Sequence, residues 1–411
     1  MGWLDALRGV AALFVVFDHS SLSYLAVSQR DLMPEFNPGR YGIMLFFLVS
    51  GYIIPTSLER RGCVRTFWIG RVFRVYPLWG AVVAVVLVAG LLGFVKVRAG
   101  HGTVTTAFAH VTLLQELLGT PNLVLVLWTL SYEMAFYLLV VALFAVRRHE
   151  RSAAVALVLA GCAAVSALAG IVLPVSALSG AVGTGPLVAL TTITVLVAVG
   201  CASAGRRAPR VFGGVLGGVV ALVLVAFNGT IPVWEGLVIL AVMFLGTAVH
   251  RAENGRSTWR RAALTAAVVV ACAVGSAWLH GDTAHYTPRA WTASFLLAVL
   301  TFGVGLALRH RRPPRGLVGL GTISYSIYLV HPLLLAASDS AIGRLPRDHP
   351  VLVVAFYAVL LPLCALTYRY VEAPGQRWGR RLARRLSERR RPVHCAASAS
   401  DARTTPGSAP P

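Results

Sequence analysis

Charge is scarce in this chain and leans to one sign. Only 13% of its 411 residues are charged, and 37 Lys and Arg stand against 16 Asp and Glu, a formal net charge of +21. With 57% hydrophobic residues arranged in long blocks, so little charge excludes a water-soluble globule. Lysine is almost missing: Lys96 is the single lysine among the 37 basic residues, a mark of genomic base composition that carries no chemistry. The six cysteines, at 63, 162, 201, 272, 364 and 395, show no Cys-x-x-Cys or Cys/His spacing, so neither a metal site nor a disulfide framework is indicated. No internal repeat is visible. In a soluble chain a charge of +21 would invite nucleic acid as a partner. Here the arginines sit in short clusters between apolar runs, as in the cytoplasmic loops of membrane proteins, and nucleic acid is not expected.

What is present is a series of runs long enough to cross a hydrocarbon core of about 30 Å. They lie near 7–25, 42–58, 73–95, 123–146, 153–173, 186–204, 211–228, 231–250, 261–280, 290–308, 317–337 and 350–371. The fold class expected is therefore all-α, a polytopic transmembrane helical bundle of about 10–12 spans. With the N-terminus inside, 29 of the 37 basic residues fall in inner loops or the C-terminal tail and 7 in outer loops, with Arg8 at the inner edge. Both termini are thus expected in the cytoplasm, and the protein in the plasma (inner) membrane as a multi-pass chain. Residues 1–375 form the membrane domain. From Gln376 to Pro411 the composition turns to Arg, Ser, Ala and Pro, which predicts a basic, disordered cytoplasmic tail whose first part lies on anionic lipid. The polar stretch from Ala99 to Pro121 predicts an outer interfacial segment.

The chain is organised around its first apolar run, Leu4 to His19. On a helix Arg8 and His19 are eleven residues apart, hence on one face and roughly 16 Å apart along the axis. A cation at the membrane edge and an imidazole near mid-depth share that stripe, and ionisable groups inside a bilayer point to function. A secretory signal peptide, with Ala26-Val27-Ser28 as cleavage site, is the competing reading, and Asp18 and His19 inside its apolar region count against it.

Three further stretches carry chemistry. Arg71 and Arg74 are i,i+3 neighbours just before the third span, a pair of guanidinium forks suited to a phosphate-bearing ligand. The alternative is a positive-inside anchor with Trp68, Tyr76 and Trp79 as its aromatic belt. Glu133 lies ten residues in from Leu123, roughly 15 Å deep, flanked by Thr129 and Tyr137 one turn away, and is open to a catalytic or an interhelical packing role. Ser324, Tyr328 and His331 fall at i, i+4 and i+7 on one polar face, with His331 roughly 21 Å from the inner edge. His19, Glu133 and His331 are thus expected at broadly similar depths on three helices.

Taken together, these stretches resemble the acyltransferase type 3 family of integral-membrane O-acyltransferases, which modify bacterial envelope glycans and some secreted natural products. The matching pieces are the Leu-Asp-x-Leu-Arg-Gly opening with its Arg-x10-His spacing (Arg8, His19), Phe46 to Tyr52 and the Arg-x-x-Arg of Arg71 and Arg74. They continue with Trp128 to Tyr137 around Glu133, Ser324 to His331, and Tyr370-Val371-Glu372-Ala373-Pro374. The resemblance covers residues 4 to about 375. It implies transfer of an acyl group, usually acetyl, from cytoplasmic acyl-CoA to a hydroxyl, with the first-helix histidine essential and the arginine pair near the CoA end. Acyl-CoA is then a co-substrate, with no permanently bound cofactor and no metal; the other partners are the lipid bilayer and a glycan or glycosylated small molecule bearing the hydroxyl. The chain departs from the family in two ways: twelve runs where the family core has about ten, and no sign of the additional extracytoplasmic esterase-like domain that some relatives carry. Acceptor selection is then expected from the membrane domain or a partner.

The residues make mechanical sense of this. A hydroxyl is a poor nucleophile at neutral pH, and histidine is the side chain whose ordinary range suits a general base. His19 either deprotonates the acceptor or carries the acyl group itself. Glu133 is the second catalytic candidate. Arg8, Arg71, Arg74, Tyr328, His331 and Glu372 are the candidates for holding acyl-CoA and acceptor. A proton-coupled transporter would use a similar His/Glu set, but calls for inverted repeats and broken helices in corresponding halves, which the sequence does not show. A catalytically dead scaffold is the third possibility.

Overall fold

The computed structural model describes residues 2–93, 100, 102–171, 173–282 and 287–388. Lys96, Arg98, Cys395 and the last part of the expected tail, 389–411, lie outside them. In chain order the helices are α1 (Gly2–Tyr24), α2 (Ala26–Leu32), α3 (Pro38–Arg61), α4 (Val64–Leu91), α5 (Thr103–Val111) and α6 (Trp128–Ala145). They continue with α7 (Ser152–Leu168), α8 (Ala177–Val182), α9 (Thr184–Ala202), α10 (Arg207–Phe227), α11 (Val233–Glu253) and α12 (Trp259–His280). The last are α13 (Pro288–Ala307), α14 (Arg315–Thr322), α15 (Ser324–Ile342), α16 (Pro350–Thr367) and α17 (Ala373–Glu388). No strand occurs among the described residues.

Among the described residues ten helices are long and apolar enough to cross a membrane, and the bent pair of α14 and α15 makes an eleventh if taken as one span. α1, at 23 residues, reaches about 34 Å at 1.5 Å per residue. Asp5, Arg8, Asp18 and His19 lower its apolarity without shortening it. Each of the twelve apolar runs therefore coincides with one helix or one broken helix. Large apolar side chains point outward, Leu196 on α9 being 67% exposed and Val354 on α16 69%, which lipid tolerates and water does not.

α1 is the hub. It packs along α3 on one side and α14 on the other, and also meets α15, α13 and α16. Glycines permit the approach: a Cβ at Gly42 would stand 2.6 Å from the Ala11 carbonyl oxygen, and one at Gly321 would stand 1.7 Å from that of Asp5. Backbones this close need small residues. α14 and α15 meet at 67°, and Ser324 Oγ satisfies the Gly321 carbonyl at the break, 2.8 Å away. That bend turns the polar face of Ser324, Tyr328 and His331 toward α1 and α6.

The arginine-rich loops gather at one end of the bundle. Arg251 bonds both Glu59 and the His149 carbonyl, Arg256 reaches Glu59 at 2.9 Å, and Arg309 reaches Glu253 at 2.7 Å. At the opposite end the carboxylate of Asp348 accepts from the backbone N–H groups of Val27 and Ser28 and from the Ser28 hydroxyl. These charge-assisted bonds, the Ser28 hydroxyl first, hold the Asp348 carboxyl below its ordinary range.

Two expectations are corrected. The coil expected from Gln376 is helix α17 as far as Glu388, because Gly375, Gly379 and Ala383 recur every fourth residue and form a stripe of small side chains that docks on α4. The segment 99–121, expected at the interface, folds inward in its second half: Leu114, Gln115 and Leu117 are fully buried. Gln115 Nε2 donates to the Leu127 carbonyl at 2.8 Å and to Asn122 Oδ1 at 3.2 Å, which ties the segment to the start of α6.

Candidate active site

His19 and His331 are hydrogen-bonded to each other. His19 Nδ1 lies 2.9 Å from His331 Nε2, and the rings stack with centroids 5.1 Å apart. His331 is fully buried, and its Nδ1 lies 2.9 Å from the carbonyl oxygen of Ile327, one turn back on α15. A carbonyl only accepts, so His331 Nδ1 carries the hydrogen, and in the neutral ring Nε2 keeps its lone pair. His19 Nδ1–H must then be the donor between the rings. The lone pair of His19 is thereby directed to Nε2, the nitrogen away from His331. Asp18, beside it in sequence, sits against Gly39 at the start of α3 and takes no part in this chain.

Two cavities lie nearby, and only the second is lined by a member of the pair, His19. The first is narrow and is lined by Arg8, Arg74, Glu133, Ser324, Tyr325 and Tyr328 among apolar walls from α3. The second, of about 1470 Å³, is lined by His19, Asp339 and Arg344 with apolar residues of α4 and α15 and the segment Leu123 to Val126. Tyr328 lines the first cavity and reaches by its hydroxyl to Val126, which lines the second. Its hydroxyl is 2.8 Å from Thr129 Oγ1 and 3.1 Å from the carbonyl oxygen of Val126, and its ring packs on Phe46.

Sequence reading placed these residues unevenly well. Arg8, Arg74, Glu133 and Tyr328 do meet in one cavity, and His19 opens on the next. Glu133, however, is bonded to the Tyr137 hydroxyl and not to His19; it lines the first cavity, which His19 does not. His331 lines neither cavity; its ring nitrogens face His19 and the Ile327 carbonyl. Glu372 also lines neither. It is buried, accepts from Ser326 Oγ at 3.0 Å and from Gln376 Nε2 at 3.0 Å, and so clamps α15 to the start of α17.

Arg71 lies in an adjoining cavity of about 600 Å³ whose walls include Ser57, Arg74, Gln376 and Arg380. Its Nη2 donates to Ser57 Oγ at 3.0 Å, and its guanidinium sits 5.3 Å and 5.5 Å from the ring centroids of Phe67 and Tyr137. Arg74 lines both this cavity and the first. Residues missed from the sequence are Thr129 and Val126, whose part depends on a contact across to α15, and Arg380, whose signal was the four-residue glycine period just before it. No group of His, Cys, Asp or Glu that could hold a metal occurs among the described residues.

An all-helical membrane bundle with a hydrogen-bonded histidine pair at a cavity wall defines a polytopic membrane protein built around an internal polar site. A family model described as an acyltransferase domain matches residues 1–369, and the chain belongs to that family, acyltransferase type 3. Among curated proteins it is 30% identical over 135 residues to an acetyltransferase-named protein of Acidianus two-tailed virus, covering 33% of this chain and 38% of that one. It is 30% identical over 145 residues to an acyltransferase of Streptomyces mycarofaciens, covering 33% and 37%. A Bacillus subtilis protein named for peptidoglycan O-acetylation is 29% identical over 183 residues, 39% of this chain and 27% of its own length. The matched stretches thus span well under half of these relatives. No solved structure matches the chain.

Proposed function

We propose that the protein is a membrane O-acyltransferase that moves an acyl group such as acetyl from acyl-CoA to a hydroxyl of a glycan or glycosylated small molecule, in the plasma membrane. The observation that carries this reading is the hydrogen bond from His19 Nδ1 to His331 Nε2 at 2.9 Å, which leaves His19 Nε2 with its lone pair in a residue that lines the second cavity. Family membership supports it.

In this reading Arg8 and Arg74 guide the donor's arm through the first cavity toward Tyr328. The acceptor enters the second cavity. His19 Nε2 takes the hydroxyl proton as the oxygen attacks the thioester carbonyl; the carbon–sulfur bond breaks, and the thiolate leaves with the proton returned from His19 Nε2–H. His331 accepts from Nδ1–H throughout and stabilises the imidazolium that forms between the two proton transfers.

The test is transfer of label from acetyl-CoA by membranes containing the protein. Wild type consumes the donor and His19→Gln, at matched and inserted protein levels, does not. A transporter or a scaffold would leave the donor intact, and a His19→Gln variant with near-normal transfer would overturn the role of His19.

A further inference from the structure

The second cavity, between α1, α4 and α15, is apolar where His19 meets it. Its walls there are Val86 of α4, Val124 and Val126 of the segment before α6, and Leu333 and Ala336 of α15. Among the described residues its lining contains no aromatic ring and no Asn or Gln, the groups that stack on sugar faces and pair with sugar hydroxyls. The backbone of the non-helical wall is committed as well. Leu123 N–H donates to His110 Nε2 at 3.2 Å, and the carbonyls of Val124 and Val126 accept from the Leu127 N–H at 3.0 Å and the Tyr328 hydroxyl at 3.1 Å. A sugar ring pressed against His19 would leave most of its hydroxyls without partners, which disfavours binding.

Polar groups return only at the far rim, where Asp339, Ser340 and Arg344 line the cavity. Asp339 comes eight residues after His331 in sequence, about 12 Å further along α15. Its Oδ2 accepts from Arg344 Nε at 3.2 Å, whereas its Oδ1 is buried with no hydrogen-bond partner among the described residues. A carboxylate oxygen shut away from water and unpaired calls for a donor. The opening has the opposite character: Val85 and Leu125 line the cavity and yet are 55% and 65% exposed, so hydrocarbon edges the way in.

We infer that the acceptor is an amphiphile whose reactive hydroxyl is carried on its apolar body: a glycosylated small molecule with its aglycone in the second cavity, the aglycone hydroxyl at His19 Nε2, and the sugar at the rim beside Asp339, Ser340 and Arg344. The inference deepens the acyl-transfer reading above and rests on it. The aglycone oxygen bonds to the acyl carbon as the carbon–sulfur bond of acyl-CoA breaks, and its proton passes through His19 Nε2 to the departing thiolate. A sugar hydroxyl at the rim supplies the donor that Asp339 Oδ1 lacks. A bilayer lipid offers the same hydrocarbon to these walls, so the test separates the two.

The experiment gives the full chain, in phosphatidylcholine liposomes with labelled acetyl-CoA, a choice of acceptors: 12-hydroxydodecyl glucoside, whose chain ends in a hydroxyl; dodecyl glucoside, whose hydroxyls are all on the sugar; and maltotriose. Wild type should acetylate the first at its chain hydroxyl, located by mass spectrometry after glucosidase cleavage, with a kcat/KM roughly ten- to a hundredfold above the other two. Ala336→Phe, which narrows the cavity, should raise KM for 12-hydroxydodecyl glucoside about tenfold and more than for 1,3-propanediol, whose use verifies that the variant folds. Asp339→Ala should raise KM for the glucoside roughly three- to tenfold and change that for 1,12-dodecanediol, which has no sugar, much less. Acetyl on the sugar of either glucoside, or preferred use of maltotriose, would overturn the inference while leaving acyl transfer intact. Photolabelling by a diazirine-bearing alkyl glucoside is a readout that does not depend on transfer. Its label should fall on the peptides spanning 123–126 and 332–344 and be displaced by 12-hydroxydodecyl glucoside. That labelling with no acceptor acetylated would sink the function and keep the amphiphile site. Label displaced only by added phosphatidylglycerol would assign the cavity to lipid and overturn the inference.

Discussion

His19 Nδ1 and His331 Nε2 lie 2.9 Å apart, on helices 312 residues distant in sequence. Because His331 Nδ1 is committed to the Ile327 carbonyl, the hydrogen-bond direction runs from His19 to His331 to α15, and one tautomer of His19 is selected without any carboxylate. His331→Ala removes the acceptor for His19 Nδ1–H. A buried donor left unpaired costs about 1–3 kcal/mol, so kcat should fall between roughly five- and a hundredfold with the KM values for donor and acceptor little changed. His331→Gln, which can still offer an amide oxygen, should recover part of the loss. A change confined to KM would instead make His331 a substrate contact.

Tyr328 lines the first cavity and reaches Val126 of the second, and its ring matters more than its hydroxyl. Thr129 keeps the Val126 carbonyl, 3.1 Å away, as an acceptor when the Tyr328 hydroxyl is removed. Tyr328→Phe should therefore stay within about threefold of wild type, the worth of one neutral hydrogen bond. Tyr328→Ala should join the cavities and raise acceptor-independent hydrolysis of acetyl-CoA relative to transfer. Measuring both products at saturating donor settles it: an unchanged ratio in the alanine variant means that Tyr328 separates nothing.

Arg71 and Arg74 should differ, although the sequence presents them as a matched pair. Arg74 faces both cavities on the proposed donor path, and Arg74→Ala should raise donor KM ten- to a hundredfold, for a lost charge-assisted contact of about 1.5–3 kcal/mol. Arg71 is also a packing residue, held by Ser57 and lying close to Phe67 and Tyr137. Arg71→Ala should lower the detergent-solubilised melting temperature as well as donor use, and Arg71→Lys should recover only part, since an ammonium does not reproduce the fork. If both alanine variants keep the wild-type donor dependence, the pair is an anchor.

Reporter fusions test the orientation. The loop of Arg61 and Arg65, the start of α10 and helix α17 line one cavity, so they share one end of the bundle, and the arginine excess predicts that this end is cytoplasmic. Fusions after Arg65 and after Glu388 should both report inside. An outside signal from either overturns the orientation.

Much of this protein was legible without coordinates because membrane helices declare themselves by composition. Twelve apolar runs became twelve helices or broken helices, since a bilayer leaves the backbone no other way to satisfy its hydrogen bonds. The polar residues inside those runs, Arg8, His19, Glu133, Tyr328 and His331, stood out for the same reason: each is costly in an apolar span. What one helix's periodicity could not specify is which polar residue faces which. Depth counting put Glu133 level with His19, yet Glu133 pairs along its own helix with Tyr137 and lines a cavity that His19 does not. The motif singled out Glu372, but only the structure shows that it bonds Ser326 of α15 and Gln376 of α17. Composition marked the arginine-rich C-terminal segment as coil, because its net charge hides a glycine stripe that pays off only when α4 is there to receive it. The sequence by itself determined the helical class with about 10–12 spans, the polar inventory and the gathering of arginine in the loops of one side. Only the tertiary structure decided the pairing of His19 with His331 and the division of the interior into separate cavities, since both depend on the 67° bend between α14 and α15 and on contacts between residues hundreds of positions apart.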